Sequence, residues 1–263
     1  DATQRHEAPL TAERLFGWHA ALFPAGRSGL NRINVGAWRT EAAGPMQIVS
    51  GPFGKERVHF EAPEAARLPG EMERFLKWFE QEAEIDPVIK AGVAHFRFVT
   101  IHPFEDGNGR IARAIADMAL ARADQARERF YSMSAQIEGE RKDYYAHLER
   151  QQRGGTDITP WLDWFLGCLG RAIDQADEML GAVLYKARMW ERANLKPVNE
   201  RQRLVLTRML DDLRGHMNTS KYAKLAKCST DTALRDIRDL LDRGLLIQND
   251  GGGRSTSYRL PDE

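Results

Sequence analysis

His102-Pro103-Phe104-Glu105-Asp106-Gly107-Asn108-Gly109-Arg110-Ile111-Ala112-Arg113 joins two helical stretches, and its reading decides how the rest of the chain is arranged. Upstream, Asp86-Pro87 marks a helix start, because Asp accepts from free N–H groups and Pro fits the first helical position. From Val88 to Ile101 the run is apolar nearly all the way round, the pattern of a helix enclosed by other helices. Pro103 ends it, since the residue before a proline is disfavoured in the helical region. His102 is therefore left at the end of a rigid element and at the mouth of a loop. A second helix restarts at about Asn108–Gly109 and runs through Ile111, Ile115, Met118 and Leu120.

The loop between these helices has the composition of a phosphate cradle. Gly107 and Gly109 accept backbone angles closed to other residues. Successive N–H groups around Asn108 can then converge on an anion, reinforced by the positive end of the new helix. Arg110 and Arg113 lie three apart on one helix face and can meet the same polyphosphate. Asp106 is a hard oxygen ligand of the kind Mg²⁺ takes when phosphates complete its shell. His102 is the candidate general base for an incoming hydroxyl. Phe104 reads as an anchor that pins the loop to the core. The bland alternative, a surface loop with a capped helix start, gives this set of polar groups no purpose at this spacing.

At each specified position the stretch matches the His-x-Phe-x-Asp/Glu-Gly-Asn-Gly-Arg-x-x-Arg signature of the Fic proteins. The resemblance extends from about Gly26 to Leu180, followed by a C-terminal winged-helix module found in a bacterial subgroup. It implies a mainly α fold: a Fic-type helical core with a β-hairpin flap, plus a small winged helix-turn-helix domain. The implied activity is transfer of AMP from Mg-ATP to a Ser, Thr or Tyr hydroxyl of a target protein or of the chain itself. By that resemblance His102 deprotonates the hydroxyl and Asp106 binds Mg²⁺. Gly107, Asn108, Gly109, Arg110 and Arg113 then hold the ATP phosphates. A different donor, removal of AMP, and nucleotide sensing coupled to DNA binding are the alternatives.

Two further stretches fit that scheme. Met46–Ser50 and Arg57–Phe60 flank Gly51-Pro52-Phe53-Gly54 and read as a β-hairpin in an otherwise helical chain. It resembles the Fic flap (about 46–60), whose edge aligns a target segment by strand addition, with Ile48, Val49, Val58 and His59 as contact candidates. Downstream, Arg141–Leu148 resembles the helix that walls the base pocket, making Tyr144, Tyr145 and Gln152 adenine-pocket candidates. Adjacent helical residues point about 100° apart, so one of the two tyrosines is expected to be core. Ser134-Ala135-Gln136-Ile137-Glu138-Gly139 matches the family's inhibitory string, yet lies where the family has a structural turn, and reads as a chance match. The resemblance puts an inhibitory segment upstream of Asp1.

Composition bounds the rest. Thirty-eight basic and thirty-eight acidic residues balance, so no global field draws the chain to nucleic acid or membrane. No apolar run approaches the ~20 residues of a membrane span and no signal peptide opens the chain, making the cytoplasm the expected location. Cys168 and Cys228 lack metal-ligand neighbours and read as reduced core thiols. Trp161, Trp164, Phe165 and Leu169 give a heavy apolar helix face of core type. The expected domains are a core over 1–193, a linker over 194–199 and a small domain over 200–263. Residues 199–263 hold 12 Lys/Arg against 10 Asp/Glu, a net of +2. That balance tempers DNA binding by Thr230, Thr232, Arg235 and Arg254, and a protein-docking or homodimerising module is the alternative.

Overall fold

The computed structural model describes residues 1–41, 44–52, 54–55, 57–81, 85–212, 216–250 and 256–262. In chain order these form α1 (Ala12–Leu22), β1 (Arg27–Ser28), β2 (Asn31–Arg32), β3 (Gln47–Ser50), β4 (Arg57–Glu61), α2 (Leu68–Glu80), α3 (Pro87–Ile101), α4 (Asn108–Asp124), α5 (Met133–Gly139), α6 (Arg141–Gln152) and α7 (Thr159–Leu195). There follow α8 (Glu200–Asp212), α9 (Thr219–Ala226), α10 (Thr230–Asp242), β5 (Ile247–Gln248) and β6 (Tyr258–Arg259). The mainly helical fold is as expected, with three two-stranded antiparallel pairs, β1–β2, β3–β4 and β5–β6, among the described residues. Among the described residues no helix is long and apolar enough to cross a membrane.

The chain divides into two compact units, Asp1–Ala176 and Asp177–Glu263. In the first, α3 is buried on nearly every side (Ala91, Ala94, His95, Phe96, Phe98, Val99, Ile101) and pairs most extensively with α4. A Cβ on Gly92 would stand 2.9 Å from the Phe165 ring, and the Trp161 indole N–H donates to the Gly92 carbonyl at 2.9 Å. The first turns of α7 therefore lie almost against the α3 backbone, where only glycine fits. Phe75, Phe79, Phe104, Ile111, Ile115 and Met118 complete the core around this pair.

In the second unit, Asn199 and Gln202 cap α8 reciprocally: each backbone N–H donates to the other's side-chain oxygen at 2.9 Å. Asn218 and Ser229 cap α9 and α10. β5 and β6 pair antiparallel, Ile247 with Arg259 and Gln248 with Tyr258; residues 251–255, Arg254 among them, lie outside the described residues. The division falls inside α7 rather than at 194–199, because Met189 and Ala193 belong to the second core with Val205, Tyr222, Ile237 and Leu240. Both cysteines are free. Burial pushes the Cys168 thiol up to about 12, so it packs as a small apolar group.

Candidate active site

Asp86 accepts from the N–H groups of Val88 (2.8 Å) and Ile89 (3.3 Å), which starts α3, and His102 ends it. His102 does not turn extended before Pro103. It takes the left-handed conformation (φ 51°, ψ 57°), and its N–H closes on the Phe98 carbonyl. A side chain held there costs about 1 kcal/mol, so something must hold it. Arg39 does so: its Nε donates to the His102 carbonyl at 2.8 Å, its Nη2 to the Pro63 carbonyl, and its N–H to the Pro103 carbonyl at 2.9 Å. Arg39 is 5% exposed. Nothing in its sequence neighbourhood announced that role.

The His102 ring is oriented by its own helix. Nδ1–H donates to the Val99 carbonyl at 3.1 Å, which fixes the tautomer and leaves the Nε2 lone pair free. Burial, with Arg39 nearby, lowers its pKa to about 4, against the opposing pull of the Val99 bond and Asp106. The imidazole is thus neutral at physiological pH and able to accept a proton.

The loop that follows is braced from within. Asn108 is 2% exposed. Its side-chain oxygen accepts from the Phe104 N–H (2.9 Å) and its amide donates to the Phe104 carbonyl (2.8 Å). The Asn108 side chain is therefore spent on the loop, and only its backbone N–H is left for a phosphate. Phe104 is fully buried and stacks on His19, ring centroids 4.1 Å apart at 10°. His19 receives the Gly36 N–H at Nδ1 (3.1 Å) and donates from Nε2 to the Asp106 carbonyl (3.1 Å). Burial holds its pKa below the ordinary value, which keeps that tautomer neutral. Ser28 donates to the Asp106 carboxylate, and the Gly107 N–H reaches its other oxygen at 2.5 Å. His19, Ser28 and Arg39 all lie more than sixty residues from the loop they hold, and no local pattern links them to it.

α4 opens at Gly107, whose φ is +82°. A Cβ there would meet Phe23 at 2.9 Å. We predict that Gly107→Ala costs roughly 1.5–3 kcal/mol, from left-handed strain plus the clash; a urea midpoint equal to the parent's would contradict this. No side chain caps the helix, and its first internal bond runs from Ile111 to Gly107. The N–H groups of Asn108, Gly109 and Arg110 are thus open to an anion. Gly109 has open space, with nothing nearer than 3.9 Å to a Cβ built on it. Arg110 lies over the Phe23 ring at 4.6 Å. Among the described residues no carboxylate pairs with Arg110 or Arg113. Two guanidinium groups without carboxylate partners beside an uncapped helix start are suited to receive an anion.

The two tyrosines of α6 separate. Tyr144 is 2% exposed, bonded to His95 at 3.0 Å, whereas Tyr145 is 51% exposed. Gln152 donates to the Thr100 hydroxyl at 3.3 Å, tying α6 to α3. β3 and β4 form the expected hairpin, with Gln47 opposite Glu61 and Ser50 opposite Arg57. Val49 and Val58 are exposed, and Ile48 is half-buried opposite Phe60. His59 is the extra residue where the register slips, and the bulge turns its ring toward α6. There Nδ1 meets Glu149 at 2.7 Å, while Nε2 meets Ser50 at 2.5 Å. Arg153 donates to the carbonyls of His59 (3.0 Å) and Val58 (2.6 Å). Two of the four flap candidates are therefore engaged by α6 and by Arg153 at its C-terminal cap, an attachment that alternation of residues could not reveal. Glu138 of the inhibitory-like string points out, 3.5 Å from Arg141.

Buried neutral histidines set an acid limit on stability. Burial lowers His95 to about 3 and His102 to about 4, below the ordinary 6.5. The unfolded chain therefore binds more protons between those values and 6.5. The stabilisation is complete above pH 6.5 and is lost as pH falls through that window. We expect unfolding free energy to drop by roughly 2–4 kcal/mol between pH 7 and pH 5. Carboxylates held low by partners, such as Asp236 and Asp239, titrate only below this range. A flat urea midpoint from pH 7 to 5 would refute the assignment.

An uncapped helix start, two arginines without carboxylate partners and a neutral imidazole thus occur together on this loop and the first turns of α4, an arrangement chemically able to receive an anion and to accept a proton. Residues 9–120 match the family model described as Fic/DOC family. The curated protein adenylyltransferase Fic of Drosophila mojavensis is 32% identical over 132 residues, covering 48% of this chain and 25% of that protein. Its Drosophila grimshawi counterpart is 34% identical over 132 residues, covering 48% and 26%. The chain spans about a quarter of the length of these relatives. Among solved structures, a Fic family protein from Desulfovibrio desulfuricans G20 aligns with 100% of this chain and 70% of its own, with TM-score 0.52 and 22% identity. A Fic domain containing signaling protein from Bacteroides thetaiotaomicron aligns over 66% and 65%, with TM-score 0.50 and 22% identity. These two likenesses concern the fold.

Proposed function

We propose that this chain is a protein adenylyltransferase that moves AMP from Mg-ATP to a Ser, Thr or Tyr hydroxyl of a target protein or of itself. One observation carries the reading: His102, its Nδ1 committed to Val99 and its Nε2 left over, ends α3 just before the loop that opens the uncapped α4, whose first turns carry Arg110 and Arg113 without carboxylate partners. A nucleotide sensor needs the cradle but not the base. The name shared by the curated relatives, protein adenylyltransferase, supports the same reading. In the reaction the target oxygen bonds to the α-phosphorus, its proton passes to His102 Nε2, and the bond to pyrophosphate breaks in line. Positioning and charge neutralisation dominate such a displacement.

Among the described residues no group of three His, Cys, Asp or Glu side chains is placed to hold a metal unaided. A single carboxylate beside the cradle, Asp106, suits an ion that arrives on the phosphates. Mg²⁺ bound there would neutralise charge on the triphosphate. Incubation with ATP labelled at either the α- or the γ-phosphate tests the proposal. Adenylylation carries the α label onto protein and releases the γ label in pyrophosphate. Transfer of the γ label, or of neither, would overturn it.

For residues 200–263 a second reading is DNA contact through α10, resting on the distribution of its charges. Asp236 is buried and bonded by Arg201 (2.8 Å), Asn199 (3.1 Å) and Tyr222 (3.2 Å), and Asp239 by Gln202 (2.7 Å) and Arg243 (2.5 Å). The acids at 236 and 239 thus turn inward, and Arg235 and Arg238 stand exposed. A gel shift on random duplex at two salt concentrations tests this; no shift at low salt would exclude it.

A further inference from the structure

We infer that the Tyr144 hydroxyl, held by the buried His95, donates a hydrogen bond to an oxygen of the bound nucleotide's phosphates beside Gly109. This deepens the reading of the cradle as an ATP site and rests on it. It assigns Tyr144 to the phosphates rather than to the base.

The argument begins at Gly109. A Cβ built there would find two polar atoms at the same distance, Arg113 Nη1 and Tyr144 Oη, each 3.9 Å away and with nothing nearer. One open point on the uncapped first turn of α4 is thus faced by a guanidinium and a phenol. A phosphate oxygen placed on the Gly109 face would lie within reach of both. The phenol ring itself is enclosed, 2% exposed among Trp161, Trp164 and His95, so it cannot stack on a base.

The direction of the phenol's proton follows from His95. This imidazole is fully buried, with Nε2 3.0 Å from Tyr144 Oη. Its Nδ1 has no hydrogen-bond partner among the described residues. Burial keeps the ring neutral, so only one nitrogen carries hydrogen. Hydrogen on Nδ1 would orphan a buried donor, which proteins rarely tolerate; a bare Nδ1 lone pair is the cheaper defect. Hydrogen therefore sits on Nε2 and is donated to the phenol oxygen. Tyr144 accepts from His95 and keeps its own O–H for another acceptor. Arg113, whose positive charge bears on both groups, marks the side on which an anion arrives. His95 acts as a positioning residue and Tyr144 as the ligand contact.

Calorimetric titration of the whole chain with ATP tests this without requiring turnover. Tyr144→Phe removes one oxygen and should weaken ATP binding about tenfold, the scale of a hydrogen bond to a charged group, with adenosine binding unchanged. His95→Phe leaves the phenol but takes away the donor that orients it, so it should weaken ATP binding by no more than Tyr144→Phe does, and the double variant should lose no more than Tyr144→Phe alone, because His95 acts only through Tyr144. His95→Gln, whose amide can donate from the position of Nε2, should restore most of the affinity. Equal ATP affinity for Tyr144→Phe and the parent would overturn the proposal. So would an equal loss for adenosine, additive losses in the double variant, or failure of His95→Gln to rescue. A parent that binds no ATP would instead strike at the nucleotide site itself.

Discussion

His102→Ala binds ATP as the parent does but loses about 10²–10⁴ of transfer rate, the range for removing a positioned general base. Binding survives because the cradle is built from α4 backbone N–H groups, Arg110 and Arg113, none of which needs the imidazole. Transfer fails because no other described side chain at the loop mouth offers a neutral nitrogen oriented as this one is by Val99. Burial keeps the ring unprotonated down to about pH 4 in the free protein, so the base is already in place at neutral pH. Stability gives a control on the same position. With φ at 51°, glycine at 102 avoids the left-handed strain that alanine retains, so His102→Gly should be at least as stable as His102→Ala. Rates come from α-labelled ATP and affinities from calorimetry. Transfer by His102→Ala at the parental rate would remove the residue from the mechanism.

Arg113→Ala should do the opposite: ATP affinity falls by about a hundredfold, the scale of two charge-assisted bonds to phosphate, while the fold is untouched. An arginine that served structure would have a carboxylate partner and would destabilise the chain on removal. Arg122 has such a partner, with Glu80 at 3.0 Å. Arg113 makes no ion pair among the described residues, and its charge reaches the half-buried Asp117 only from beyond ion-pair distance, so its removal chiefly discards a cation facing the open side of Gly109. We expect a melting temperature close to the parent's. Arg113→Lys keeps the charge without the planar fork and should fall between. A marked loss of melting temperature with unchanged ATP affinity would assign Arg113 to packing instead.

The helices around the site were readable because their ends carry local chemistry: Asp86-Pro87 at one start, Pro103 at one stop, Gly107 at the next start. The hairpin was readable from its turn and alternation, and the C-terminal helices from their caps at Asn199, Asn218 and Ser229. What escaped was everything that reaches the site from a distance. Arg39, His19 and Ser28 come from the first forty residues and act through backbone carbonyls and a carboxylate across the fold, leaving no periodic signal. Asn108 was visible as part of a glycine-flanked motif, but its side chain could serve loop or ligand equally well until the Phe104 bonds were seen. The division within α7 was hidden for a related reason. Its helical pattern runs through 176 without a break, so only packing reveals which core each half serves.

The Asn108 brace also governs how this protein ages. An asparagine followed by glycine is the pair most prone to cyclise and lose ammonia, because the next backbone nitrogen can attack the side-chain carbonyl. Here both ends of the amide are tied to Phe104, and Gly109 is locked in helix, so the native state is shielded from its own most fragile bond. Unfolding lifts that protection. A heated sample should then accumulate acid at position 108, seen by mass mapping, and molecules so converted cannot remake the clasp, making thermal inactivation a one-way loss.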